Sequence, residues 1–260
     1  VDGERVAAAP KPPEEIEAVL RVITTIRPDI LGLVEMGSKA DLQDIQSRLK
    51  AVGLDYPHSE WMQGEDETRH ICLLSRFPIV KRQSLSDIPV PINGRVARVN
   101  RGFLDVTVKV NSNYHLRCIG VHLKSRRPVP EYDEAVMRAK EAWFLRDHLV
   151  RIIENAPETN LLIFGDFNDE KNQYPIRTII GRRGSRTHMN PLPLTDSRGE
   201  YWTHFWSTAD SYSRIDYIMV NKGLENEIIP KETGVNDSPF WDTASDHRAI
   251  FTTISAEEKP

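Results

Sequence analysis

The chain has 260 residues, 39% hydrophobic and 28% charged, the balance of a globular protein with room for one large domain. Its formal net charge of −4 gives no bulk sign of the basic face that long nucleic acid requires, although a local basic patch stays open. No apolar run is long enough to span a membrane, and two cysteines are too few for a disulfide framework.

Residues 1–13 are polar and Pro-rich and read as a lead-in loop, ahead of a single domain over 14–260. The chain opens on Val1 rather than Met and shows no signal-peptide pattern. A trimmed upstream piece would have room for a targeting signal, which leans the expected location toward the extracytoplasmic side. Ile16, Val19, Leu20, Ile23 and Ile26 recur at helical spacing, and Pro28 ends that helix. Residues 29–34 form an apolar run of strand length, with Glu35 after it. Leu42, Ile45, Leu49 and Val52 mark a second amphipathic helix, with Ser38 and Asp41 as a capping box and Gly53 as its stop.

Strands are expected over 70–74, 103–110 and 117–123, the second with Leu104, Val106, Val108 and Val110 alternating against polar residues. The longest helix is expected over 131–154, and a buried strand over 161–164. Residues 177–193 are irregular and arginine-rich, and late strands are expected over 215–220 and 249–254. Cys72 and Cys118 sit in apolar runs and read as buried thiols, with a disulfide between them as the alternative. Neither has a second ligand at zinc spacing. No repeat, low-complexity tract or linker divides the chain. Helices and strands alternate early and strands dominate late, which suggests mixed sheets.

Four places carry candidate chemistry. In 161–168 (LLIFGDFN) a buried strand runs into Gly165, Asp166 and Asn168. Two residues apart, Asp166 and Asn168 point to one side, where a carboxylate can take a proton from water or bind a hard cation and an amide can orient it. Simple turn chemistry explains the same residues about equally well. Ser245-Asp246-His247 precedes the last strand. Neighbours on a strand face opposite ways, so Asp246 suits a cation and His247 a substrate oxygen. His247 then needs an orienting acid, and Asp216 is one inside an apolar strand. His122 and Lys124 fall on one face of a strand end and suit a phosphate; Arg126 and Arg127 read as solvated. Glu35 is a lone acid after a strand. Glu35, His122 and Asp166 end their strands, whereas Asp216 and Asp246–His247 begin theirs. All meet at one rim only if the late strands run antiparallel to the early ones.

Taken in order, 28–36 (PDILGLVEM), 121–125 (VHLKS), 162–168 (LIFGDFN), 214–217 (RIDY) and 245–247 (SDH) make the sequence resemble the endonuclease/exonuclease/phosphatase superfamily over about residues 14–254. The resemblance implies an α/β fold, a four-layer sandwich of two mixed sheets packed face to face with helices outside. It implies Mg²⁺ or Mn²⁺ held by Glu35 and Asp246, water activated by Asp166 and oriented by Asn168, and developing charge stabilised by His247 under Asp216. His122 would contact a phosphate oxygen. Lys124, Arg69 and Arg138, with His70, rank second, either as phosphate contacts or as supports for the residues that make them. The implied partner is a phosphate ester: nucleic acid, a lipid headgroup or a small phosphate. One departure stands out: the family's first strand, with its metal-supporting asparagine, has no counterpart here. Its loss would expose a sheet edge open to pairing with another chain and weaken metal binding. A catalytically impaired binding module with the same fold is the alternative function. Arg182, Arg183 and Arg186 suit either a phosphate loop or a solvated one. Trp202, His204, Phe205 and Trp206 either line a pocket or pack.

Overall fold

The computed structural model describes residues 10–258. Most of the expected lead-in thus lies outside the described residues, and Pro13 already opens helix α1 (Pro13–Ile26). A proline suits this first turn, because its missing N–H would have no partner there anyway. Arg27 adopts a left-handed conformation and closes the helix. Next come β1 (Ile30–Met36) and α2 (Lys39–Ala51). The expected capping box is present: Asp41 N donates to Ser38 Oγ at 3.3 Å and Ser38 N to Asp41 Oδ2 at 2.6 Å.

The chain continues through β2 (His58–Met62), β3 (His70–Ser75), β4 (Ile79–Arg82), β5 (Pro89–Ile92), β6 (Arg95–Arg98), β7 (Phe103–Lys109), β8 (His115–His122), α3 (Glu134–Asn155) and β9 (Asn160–Asp166). It ends with α4 (Tyr174–Ile180), β10 (Met189–Pro191), β11 (His204–Trp206), β12 (Ser211–Ser213), β13 (Asp216–Asn221), β14 (Ile228–Val235), α5 (Trp241–Ala244) and β15 (Ile250–Ile254). The arginine-rich stretch is more ordered than expected, since α4 and β10 take up much of it. No helix among the described residues is long and apolar enough to cross a membrane.

The central sheet has the order β10-β13-β9-β8-β7-β4 and is mixed: β8 and β9 run parallel, the other neighbours antiparallel. Strand periodicity splits its side chains between two cores. Phe103, Ile119, Val121, Ile163 and Met219 pack under Met137, Leu145 and Leu149 of α3 and Ile176 and Ile179 of α4. Leu104, Val106, Cys118, Leu162 and Ile218 face Ile71 and Leu73 of the other sheet layer. That layer consists of β1-β3-β2 and the pair β14-β15, and α1 and α2 cover β3 through Leu20, Ile23, Leu42 and Leu49. The four layers are therefore helix, sheet, sheet, helix. Both cysteines are free and buried, and burial pushes each thiol up to about 12, so neither is reactive.

The alternation read over 103–110 places polar residues toward solvent, yet Asp105 is fully buried. Arg117 Nε and Nη2 donate to it at 2.8 and 2.5 Å, and His148 Nε2 lies 2.8 Å away. Burial raises the carboxyl, but these partners outweigh it and hold Asp105 below the usual carboxylate range. Its share of stability is therefore full above that range and is lost as the pH falls through the lowered value. Asp105→Asn leaves the Arg117 cation uncompensated, and urea unfolding at pH 7 is expected to show a loss of about 3 kcal/mol. An unchanged midpoint would refute that account.

β1 is the outer strand of its sheet and β15 of its pair, and no strand lies between them among the described residues. Between the two edges runs a slot of about 2050 Å³. Leu162, Phe164 and Ile218 of the central sheet form its floor, and Ile16, Val19 and Ile23 of α1 line it too. Gly32 of β1 leaves room for the Phe164 ring, which a Cβ there would meet at 2.1 Å.

Candidate active site

The rim of the central sheet is built around a close backbone approach. At Gly165, with φ of 136°, a Cβ would fall 1.9 Å from Val121 O of the neighbouring strand, so only glycine fits. The next residue, Asp166, ends β9 and is buried. β13 runs antiparallel to β9 and places Asp216 directly opposite Asp166. The expected reversal of a late strand is therefore present. His247, on the turn ahead of β15, sets Nδ1 2.9 Å from Asp216 Oδ2. Ligand atoms of Asp166, Asp216 and His247 all lie within 4.8 Å of one another.

Asn168 has a positive φ of 53° and turns back on Asp166. Its backbone N–H donates to Asp166 Oδ1 at 2.8 Å, and its Nδ2 donates to Asp166 Oδ2 at 3.0 Å and to Leu123 O at 2.9 Å. Both amide hydrogens are thus used in fixing the Asp166 carboxylate to the end of β8. His122, buried at that end, brings Nε2 within 3.6 Å of Asp166 Oδ2 and 3.7 Å of Glu35 Oε1. Glu35 lies within β1 rather than after it. A register shift between Leu33 and Met36 and a φ of 57° turn its side chain to the rim, a bulge that re-aims an acid. Arg69 Nε stands 3.5 Å from Glu35 Oε1. Asp246 is exposed at the same rim, its Oδ2 3.9 Å from His204 Nε2.

Burial, with Asp216 and Glu35 nearby, pushes Asp166 up to about 8, against the lowering effect of His247 and the Asn168 N–H. Burial would lower His247, but Asp216, helped by Asp166 and Asp246, outweighs it and raises the ring to about 10. His122 is held well below the usual histidine range by burial and by Arg101, His247, Arg69 and Lys124. The rim thus pairs a charged imidazolium with a neutral imidazole. Four carboxylates gather there, and burial, with Asp216 beside it, forces Asp166 toward its neutral form. Hard oxygen donors with excess negative charge fit a divalent cation such as Mg²⁺. Glu35 belongs to neither group of three ligand atoms within 4.8 Å; the second such group is His204, Asp246 and His247.

Two of the second-rank candidates, Lys124 and Arg138, support the rim from behind, while Arg69 stands at it beside Glu35. Lys124 is buried, and its Nζ donates to Ser125 O at 3.1 Å and Arg127 O at 2.9 Å. Arg138 is buried too, donating to Asp169 Oδ2 at 2.9 Å and Lys124 O at 3.0 Å. Both brace the loop after β8. His70 stacks on Trp61 with ring centroids 4.1 Å apart. Two residues escaped the sequence reading. Thr203 Oγ1 accepts from the backbone of Ile215 and Asp216 at 3.2 and 3.1 Å and so seats the acid under His247. Arg101 is buried with Nε 3.2 Å from Asp66 Oδ2, in the loop that carries Arg69. A lone threonine among aromatics and an arginine before a strand carry no pattern that would reveal them.

A four-layer α/β sandwich with carboxylates and histidines gathered at one rim defines a class of hydrolases that act on phosphate esters. The chain belongs to the Endonuclease/Exonuclease/phosphatase family, whose model matches residues 5–247. No curated protein matches it by sequence. Among solved structures it is similar to the human Nocturnin catalytic domain with bound sulfate anion, at 19% identity over 95% of this chain and 89% of that one, with a TM-score of 0.66. It is also similar to truncated TDP2 of Caenorhabditis elegans, at 17% identity over 92% of this chain and 89% of that one, with a TM-score of 0.63. A family protein from Leptotrichia buccalis C-1013-b shares 16% identity over 93% of this chain and 92% of that one, with a TM-score of 0.63. These likenesses show the fold, and the family supports a phosphoesterase that generally depends on a divalent metal.

Proposed function

We propose that the chain hydrolyses phosphate esters by attack of an activated water on phosphorus, with Mg²⁺ or Mn²⁺ held by Glu35 and Asp246. The observation that carries this reading is the Asp166–Asp216–His247 cluster, where a buried acid faces an acid-held imidazolium across adjacent strands. The Nocturnin domain of similar fold binds sulfate, a tetrahedral oxyanion like phosphate. A cation held by Glu35 and Asp246 would polarise the phosphoryl group and offset negative charge at this rim.

Asp166 then takes the proton of the attacking water, with Asn168 fixing its two oxygens. His247, kept charged and aimed by Asp216, donates toward a phosphoryl oxygen as negative charge grows there. Neutral His122 offers Nε2–H to a second oxygen. Substrate range within phosphate esters follows from what surrounds this core. A binding module that keeps the fold without turnover is the second reading, and the open slot beside Glu35 favours it.

A chromogenic phosphodiester assay separates the two. Activity is expected with Mg²⁺ or Mn²⁺ and none with chelator. Glu35→Gln is expected to raise the Mg²⁺ concentration for half-maximal rate about tenfold or more. An identical metal titration for parent and variant would remove Glu35 from the metal site. Absence of turnover on every ester tried, with metal bound in calorimetry, would favour the binding module.

A further inference from the structure

The β11–β12 hairpin brings a further histidine to the rim. An antiparallel bridge pairs His204 of β11 with His247, and two backbone hydrogen bonds hold it: Phe205 N donates to Asp246 O at 2.9 Å and Arg248 N to Thr203 O at 2.7 Å. Residues opposite each other across such a bridge project to the same side, with Cβ atoms about 5 Å apart. The two rings accordingly lie with centroids 4.6 Å apart. The bridge is fastened from behind. Arg248 is buried, donates from Nη2 to Asp196 Oδ2 at 2.7 Å and sets its guanidinium 4.2 Å from the centroid of the Trp202 ring.

Each ring is oriented through one nitrogen and leaves the other for a ligand. His204 Nδ1 lies 3.2 Å from Oγ of Ser213, its partner across the hairpin, and His247 Nδ1 lies 2.9 Å from Asp216 Oδ2. Among the described residues no hydrogen bond reaches Nε2 of either ring. Nδ1 fixed by an oxygen, with Nε2 open, is how metal-binding histidines are held. Asp246 completes the set. Ser245 Oγ donates to its Oδ1 at 3.4 Å, while its Oδ2 stands 3.9 Å from His204 Nε2. One ligand atom from each of His204, Asp246 and His247 lies within 4.8 Å of the others. Donors around a tetrahedral ion with bonds of about 2.0–2.1 Å stand about 3.4 Å apart, so a turn of the exposed Asp246 side chain with small ring shifts closes the set. Two imidazoles and one carboxylate favour Zn²⁺ over Mg²⁺, which prefers oxygen alone.

Resting on the phosphoesterase reading above, we infer that His204, Asp246 and His247 form an inhibitory Zn²⁺ site, built on two ring nitrogens that the activating ion does not use. The ion replaces the proton on His247 Nε2, the atom assigned above to a phosphoryl oxygen. It also draws Asp246 away from Glu35. Turnover is lost on both counts while the fold stays as it is. His204 makes the site: without it one imidazole and one exposed carboxylate remain, too few to hold the ion.

The test reads binding first and turnover second. Zn²⁺ titrated calorimetrically into metal-stripped protein is expected to bind, and NMR of the imidazole nitrogens to show Nε2 of both His204 and His247 shifting as it does. His204→Phe keeps a ring against His247 and is expected to weaken that binding by more than about 100-fold, whereas Ser213→Ala, which only frees the His204 ring, weakens it about 10- to 100-fold. With Mg²⁺ saturating, Zn²⁺ is expected to inhibit phosphodiester turnover by the parent, and His204→Phe to keep the uninhibited rate while needing far more Zn²⁺ to lose it. Zn²⁺ bound as expected by a protein that turns over no ester would sink the phosphoesterase reading and leave the ion site standing. No Zn²⁺ binding to the parent, equal affinity in parent and His204→Phe, or equal inhibition of the two, would overturn the site.

Discussion

Asp166→Asn is expected to lower the metal-dependent turnover of a phosphodiester by at least about 10³-fold, the scale of losing a positioned general base. The same variant is expected to unfold at the same temperature as the parent or a higher one. Asp166 is buried, pushed up to about 8 and set opposite another acid, so its carboxylate is a cost to the fold. The amide keeps its shape and removes its charge. Lost activity with retained stability separates a reacting group from a structural one. A variant that loses both together, in activity assay and thermal melt, would place Asp166 in the scaffold.

The second large effect is expected at Asp216. Asp216→Asn leaves the His247 ring without the carboxylate at 2.9 Å that orients it and keeps it charged. Turnover should fall about 10²–10³-fold. The ring's titration, followed by NMR of the imidazole protons, should move down from about 10 toward the ordinary histidine value near 6.5. The sign follows from the cause: removing a negative neighbour disfavours the charged ring. His247 titrating as in the parent would show that burial and the other acids hold it without Asp216.

What the sequence made legible follows from where the side chains sit. Glu35, His122, Asp166 and Asp216 lie at or near the ends of apolar runs of strand length, so the strands that carry them follow from the runs. The antiparallel return of β13 follows from asking how strand ends and strand starts reach one rim. Lys124 shows the limit. Its placement with His122 assumes that the strand continues, but β8 ends at His122, and past that point side chains follow loop hydrogen bonds. The β11–β12 hairpin was invisible for another reason. Strands of three residues have no measurable period, and their pairing rests on contacts with a segment some forty residues later. Thr203, Arg101 and the placement of His204 beside His247 all depend on such contacts. Glu35 was found, yet the bulge that aims it was not, because a single extra residue leaves the apolar pattern unchanged.

The slot between β1 and β15 has a thermodynamic consequence. Glu35 belongs to β1, on one bank, and Asp246 stands just ahead of β15, on the other. Their separation is set by the slot's width. An extended segment that seats between the banks would fix that width, and a cation held by both carboxylates would tie the banks together. The two events are then linked, and linkage is reciprocal: a segment that tightens cation binding by some factor is itself bound tighter by that factor when the cation is present. The cation affinity of this chain would in that sense gauge whether such a segment is seated.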